Sequence, residues 1–135
     1  MPNFDLVLRN CNLINENSIS QVDIAIKDKR IEKISSAISE KANKEIDVNG
    51  KNVAPGVIDD QVHFREPGLT KKGEIKTESL AALYGGITST MDMPNVSPAS
   101  TTLDLLEERF QLAKEKSWTN YSFYLGATPD NIDEI

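Results

Sequence analysis

The chain has 135 residues, one cysteine and one histidine, and a formal net charge of −6 at pH 7. Hydrophobic residues make up 39% and charged residues 27%, which suits a soluble globular chain with a modest core and argues against disorder. The negative balance, with no Lys/Arg run longer than two, disfavours a nucleic-acid partner.

No apolar run approaches the ~20 residues that span a bilayer, so no membrane association is expected. The start, MPNFDLVLRN, lacks the basic and apolar regions of a signal peptide. Cys11 stands alone and can form no internal disulfide, which fits a reducing compartment. The expected location is the cytoplasm.

The first fifty residues read as β. FDLVLRNCNLI (Phe4 to Ile14) alternates around Leu6 and Leu8, and QVDIAIKDKRIEKIS sets Val22, Ile24 and Ile26 at period two. Asp28-Lys29 lies between two alternating runs, with Ile31 and Ile34 resuming the apolar pattern, which predicts a hairpin. Asn49-Gly50 is a strong turn dipeptide. Residues 1–52 are therefore expected to form a small β segment.

After Pro55 the pattern changes. Residues 56–64 predict a strand, and GEIKTESLAALY (73–84) predicts a helix with Leu80 and Leu83 or Tyr84 on one face, stopped by Gly85-Gly86. ITSTMDM (87–93) predicts a second strand, ended by Pro94. In TTLDLLEERFQLAKEK, a second helix is capped by Thr101 or Thr102. Asp104, Glu107 and Glu108 favour its first half, and Lys114 and Lys116 favour its end. Its apolar face is Leu103, Leu106, Phe110 and Ala113. YSFYLGA (121–127) predicts a third strand, and Pro129-Asp130 opens a third helix. The alternation implies parallel βαβ units. A parallel sheet of three strands needs cover on both faces, so residues 53–135 read as the first three, incomplete βα units of a longer fold.

The chemistry gathers in DDQVHFREPG (59–68). In a regular strand Asp59, Gln61, His63 and Arg65 share one face, and Asp60, Val62 and Phe64 the other. In parallel α/β barrels the C-terminal strand ends carry the active site. His63 and Arg65 lie at one such end, and Asn95, after Met93-Pro94, lies at the next. Each residue also has a plain alternative. A lone histidine near a strand end is most often structural. Arg65 and Glu66 could form a local ion pair worth little. Asn95 beside a proline could be turn chemistry, and Asp59 could cap a backbone group. Lys71-Lys72 reads as a solvated loop. Their joint position on one rim carries the functional reading.

PGVIDDQVHFREPG (55–68) and ESLAALYGGITSTMDMPN (78–95) together resemble the amidohydrolase superfamily and, within it, dihydroorotase. The likeness extends over the whole chain. It implies a (β/α)8 TIM-type barrel preceded by a small β-sandwich segment, and a cofactor of one or two zinc ions. It also implies reversible hydrolysis of L-dihydroorotate to N-carbamoyl-L-aspartate. A metal lowers the pKa of bound water to roughly 7, supplying hydroxide that attacks the ring amide. By this resemblance His63 matches a metal histidine, Arg65 a carboxylate-binding arginine and Asn95 a substrate-binding asparagine. A planar guanidinium suits a substrate carboxylate. Arg65 and Asn95 favour dihydroorotase over the similar allantoinases and hydantoinases.

Gln61 departs from the family's Asp-x-His-x-His pattern, putting an amide where imidazole is usual. Zinc prefers nitrogen, sulfur and charged oxygen donors, so Gln61 is a weak metal position. Either the metal site is modified, or the protein is a non-catalytic scaffold that partners aspartate transcarbamoylase. A third possibility is a stand-alone module binding small carboxylates through Arg65 and Asn95. A barrel needs typically ~250 residues and a catalytic zinc about three protein ligands. The 135-residue chain alone is therefore expected to be inactive, to hold no zinc tightly and to self-associate through its uncovered faces. The family is often dimeric, so a homo-oligomer is expected of the whole protein.

Overall fold

The computed structural model describes residues 3–135. They belong to two compact units, one ending at Pro55 and the other running from Gly56 to Ile135.

The first unit is one mixed sheet of five strands. Its centre is β1 (Phe4–Asn15), which pairs antiparallel with β2 (Ser18–Lys27), and β2 pairs antiparallel with β3 (Arg30–Ser35). Along the other edge of β1 run β4 (Ala42–Asp47) and β5 (Asn52–Val53), both parallel to it. The expected hairpin forms at Asp28 and Lys29, whose φ values of 50° and 64° give the turn that matches strand twist. Asn49 and Gly50 are also left-handed, at 53° and 71°. Their turn links β4 to β5 along one edge of β1, with Gly50 N–H donating to the Asn10 carbonyl at 2.8 Å.

Burial in this sheet differs from the simple alternation. Val7 and Ala25 are fully buried with Phe4 and Ile38, whereas Leu6 and Leu8 are half-buried. The connection carrying Ile38 covers the Val7 side and removes it from water. Ile31 and Ile34, on the outer strand β3, stay exposed.

The second unit holds three parallel strands in the order β6 (Val57–Val62), β7 (Ile87–Asp92), β8 (Asn120–Phe123). Helix α1 (Ile75–Tyr84) crosses from β6 to β7, and α2 (Leu103–Lys116) from β7 to β8. Its core is Phe64, Ile75, Ala113 and Phe123, flanked by Val62, Leu106, Phe110 and Tyr121. Phe110 meets Phe123 edge-on at 5.0 Å between ring centroids, a favoured aromatic geometry.

Several expectations need correction here. Helix α1 buries Ile75 and Ser79, while Leu83 and Tyr84 are exposed. Leu103 is exposed, and fully buried Arg109 takes a place on the inner face of α2. Strand β8 stops at Phe123, where the Tyr124 N–H closes the ladder on the Asp92 carbonyl at 3.0 Å, short of the expected end at Ala127. Instead of a third α-helix, Ile132–Glu134 form a short 3-10 turn. Of the two candidate caps it is Thr102 whose hydroxyl accepts the Leu105 N–H, at 3.3 Å.

Candidate functional site

Strand β6 ends at Val62, whose carbonyl accepts the Met93 N–H at 3.0 Å. Its register against β7 is irregular between Asp59 and Val62, and Arg65 adopts φ of 68°. The expectation that Asp59, Gln61, His63 and Arg65 share one strand face therefore fails. The ladder is bulged before His63 and the chain has turned by Arg65. Asp59 accepts the Gln61 backbone N–H at 3.1 Å, a local cap.

The turn nevertheless brings three of the candidate groups together. His63 Nδ1 lies 3.1 Å from Asn95 Oδ1, and Arg65 Nη1 donates to the Asn95 carbonyl at 3.4 Å. An amide oxygen only accepts, so in this contact Nδ1 is the donor to Asn95. Arg65 thus reaches the main chain of Asn95 while His63 meets its side chain. Gln61 lines a cavity of about 290 Å³ with Asp60, Met93 and Tyr124. Tyr124 reaches from the end of β8 to donate its hydroxyl to the Asp60 carbonyl at 3.0 Å.

Two carboxylates, Glu66 and Asp92, hold this rim in place. Glu66 does not pair with Arg65. Buried at 6% exposure, its Oε2 accepts the Ile75 N–H at 3.0 Å and its Oε1 the Lys116 ammonium. It thereby satisfies the first turn of α1, whose N-cap Glu74 makes no side-chain bond, and ties it to the end of α2. The Glu66 carboxylate holds Lys116 above the usual amine range. Asp92, at the end of β7, accepts the Phe64 N–H at 3.1 Å and Arg109 Nη2 at 2.5 Å. Burial pushes the Asp92 carboxyl up and the Arg109 guanidinium down, each opposed by the other's charge. The signal for Arg109 was present: it sits at i+3 from Leu106 and i−4 from Ala113, inside the apolar stripe.

The loop after β6 rests on the loop after β7. Ser97 N–H donates to the Pro67 carbonyl at 3.1 Å. Gly68 has φ of 80°, and a Cβ there would collide with the Ser97 carbonyl, so only glycine fits. Arg65 and Asn95 are thus carried on two loops packed into one support.

Zinc needs several nitrogen, sulfur or carboxylate donors around one point. His63 offers an oriented imidazole nitrogen and Gln61 an amide. Among the described residues, no group of three or more His, Cys, Asp or Glu could hold a metal ion. Residues 3–135 alone therefore do not make up a catalytic zinc site.

A parallel α/β unit with polar groups at its C-terminal strand ends defines the class of architecture. The dihydro-orotase-like family model matches residues 50–131, and the chain belongs to that family. A solved L-hydantoinase (dihydropyrimidinase) from Arthrobacter aurescens superimposes with a TM-score of 0.93 at 35% identity, over 97% of this chain and 30% of that one. An allantoinase of Desulfitobacterium hafniense is 36% identical over 100% of this chain and 30% of its own length. A dihydroorotase of Fusobacterium nucleatum is 38% identical over 83% of this chain and 26% of its own length. The chain thus spans about 30% of the length of the relatives it matches.

Proposed function

We propose that these residues belong to a longer cyclic-amide hydrolase with a (β/α)8 barrel, and that it is a dihydroorotase acting reversibly on L-dihydroorotate to give N-carbamoyl-L-aspartate. The observation that carries this is the Arg65 guanidinium and Asn95 amide set around His63. A ring substrate with a carboxylate finds a planar cation and a neutral donor on one rim. His63 offers its imidazole to the metal; Gln61 is the modified metal position. Zinc, as one or two ions, is the proposed cofactor, with its other ligands drawn from outside residues 1–135. The proposed setting is cytoplasmic pyrimidine synthesis, in a homo-oligomer.

A second reading is a hydantoinase, and the TM-score of 0.93 to an L-hydantoinase is what favours it. A third is a scaffold partnering aspartate transcarbamoylase, which Gln61 in place of a metal histidine favours.

Steady-state turnover of the full-length protein on L-dihydroorotate, allantoin and a 5-substituted hydantoin separates these readings. Arg65→Met is expected to reduce kcat/KM for dihydroorotate by roughly hundredfold, since it leaves a carboxylate unpaired, and to spare uncharged rings. Turnover of hydantoin without dihydroorotate selects the second reading. No turnover of any ring, with tight binding of aspartate transcarbamoylase, selects the third.

A further inference from the structure

Asp92 stands where the three strands of the second unit meet, paired with Val62 on one side and Phe123 on the other. Its side chain has two partners of different kinds. One oxygen takes the N–H of Phe64, the residue between His63 and Arg65. The other takes Arg109, which is fully buried on α2. Arg109 also donates from Nη1 to Ser100 Oγ at 3.3 Å and lies 4.3 Å over the Phe123 ring. Its Nε has no partner.

Ser100 closes the loop that bears Asn95: its N–H donates to the Pro94 carbonyl at 3.2 Å, and its carbonyl accepts the Gly126 N–H at 2.7 Å. One ion pair therefore reaches the segment carrying His63 and Arg65 and the segment carrying Asn95. A buried ion pair with an unsatisfied donor stabilises less than an apolar pair of the same volume, so stability alone gives little reason for it. What it supplies is direction, because a carboxylate and a guanidinium fix angles that apolar contacts leave free.

We infer that Asp92 and Arg109 are positioning residues, which hold residues 63–65 and the 94–100 loop so that His63 and Arg65 both meet Asn95. The inference rests on the proposed role of that trio, yet part of its test needs no turnover. In the full-length protein, Arg109→Met, Arg109→Lys and the double variant Asp92→Asn/Arg109→Met are compared by amide hydrogen exchange, thermal midpoint and steady-state kinetics. The double variant removes both charges at nearly constant volume and is expected to keep a midpoint near that of the parent. Its Phe64 amide is expected to exchange about tenfold faster or more. KM for the carboxylate-bearing ring is expected to rise about tenfold or more, because a displaced Arg65 meets the ring at the wrong angle. Arg109→Lys, which keeps the charge, is expected to recover part of both. A double variant with parental Phe64 exchange and parental KM would overturn the inference and leave the pair a structural one. If no cyclic amide is turned over by the parent protein, the functional reading falls, and Phe64 exchange still decides whether the pair positions the loop.

Discussion

At the scale of single residues, the first unit is held by one buried acid. Asp23 accepts Arg9 Nη1 at 2.8 Å, the Ile38 N–H at 3.1 Å and the Asn10 N–H at 3.1 Å. Arg9 in turn donates Nε to Glu45 at 3.0 Å, so the network spans β1, β2, β4 and the connection before β4. Burial pushes the Asp23 carboxyl up, but Arg9 and the two backbone donors more than offset this and hold it below its usual range. A depressed native pKa means stability present above the unfolded value, near ~4, and lost as pH falls through the lower native value. Asp23→Asn is expected to destabilise the fold by about 2 kcal/mol at pH 7, the value of hydrogen bonds to a charged group. That gap is expected to narrow as pH falls below about 4, where the unfolded parent takes up a proton, and to close below the lower native value. Urea unfolding of both proteins at pH 7 and pH 3 measures it. A gap that is equal at the two pH values would mean that the Asp23 charge contributes nothing.

At the scale of elements, what was legible in the sequence depended on local chemistry. Thr102 shows how a cap is read and then resolved. Both Thr101 and Thr102 are possible from sequence, and it is Thr102, with an extended backbone, whose hydroxyl accepts the Leu105 N–H. Thr102→Ala is expected to cost about 1 kcal/mol in chemical unfolding, and Thr101→Ala to cost less than half of that. An equal loss from the two would remove the cap assignment. The Asp28-Lys29 hairpin and the parallel βαβ order were legible for the same reason, since turn residues and hydrophobic period are local signals. Other features were not, because they depend on contacts distant in the chain. The place of Arg109 in the apolar stripe of α2 is readable locally, but its partner Asp92, 17 positions away, is not. Glu66 looks like a partner for adjacent Arg65, and its true partners are Ile75 and Lys116. The meeting of His63, Arg65 and Asn95 was expected from strand ends, yet it arises from a bulge and a left-handed turn that strand periodicity does not encode.

At the scale of the whole molecule, the site is a question of how many donors reach one point. His63 contributes a single imidazole, whose Nδ1 lies 3.1 Å from Asn95 Oδ1. The described residues supply no cluster of three ligating groups around it. A catalytic zinc takes about three protein ligands, and each missing donor lowers affinity steeply. If His63 is one ligand of a site built from distant parts of a longer chain, metal affinity must belong to the assembled protein and not to this part. Equilibrium dialysis against micromolar zinc is expected to leave well under one ion per chain on residues 1–135 alone. His63→Ala in that short chain is expected to change little. The full-length protein is expected to retain at least one ion, and His63→Ala to weaken that retention about tenfold or more, as loss of a direct ligand should. One firmly held zinc on the short chain would mean that donors within these residues rearrange to form a site of their own. Unchanged retention in full-length His63→Ala would remove His63 from the metal's coordination and leave it with Asn95 as a purely hydrogen-bonded pair on the rim.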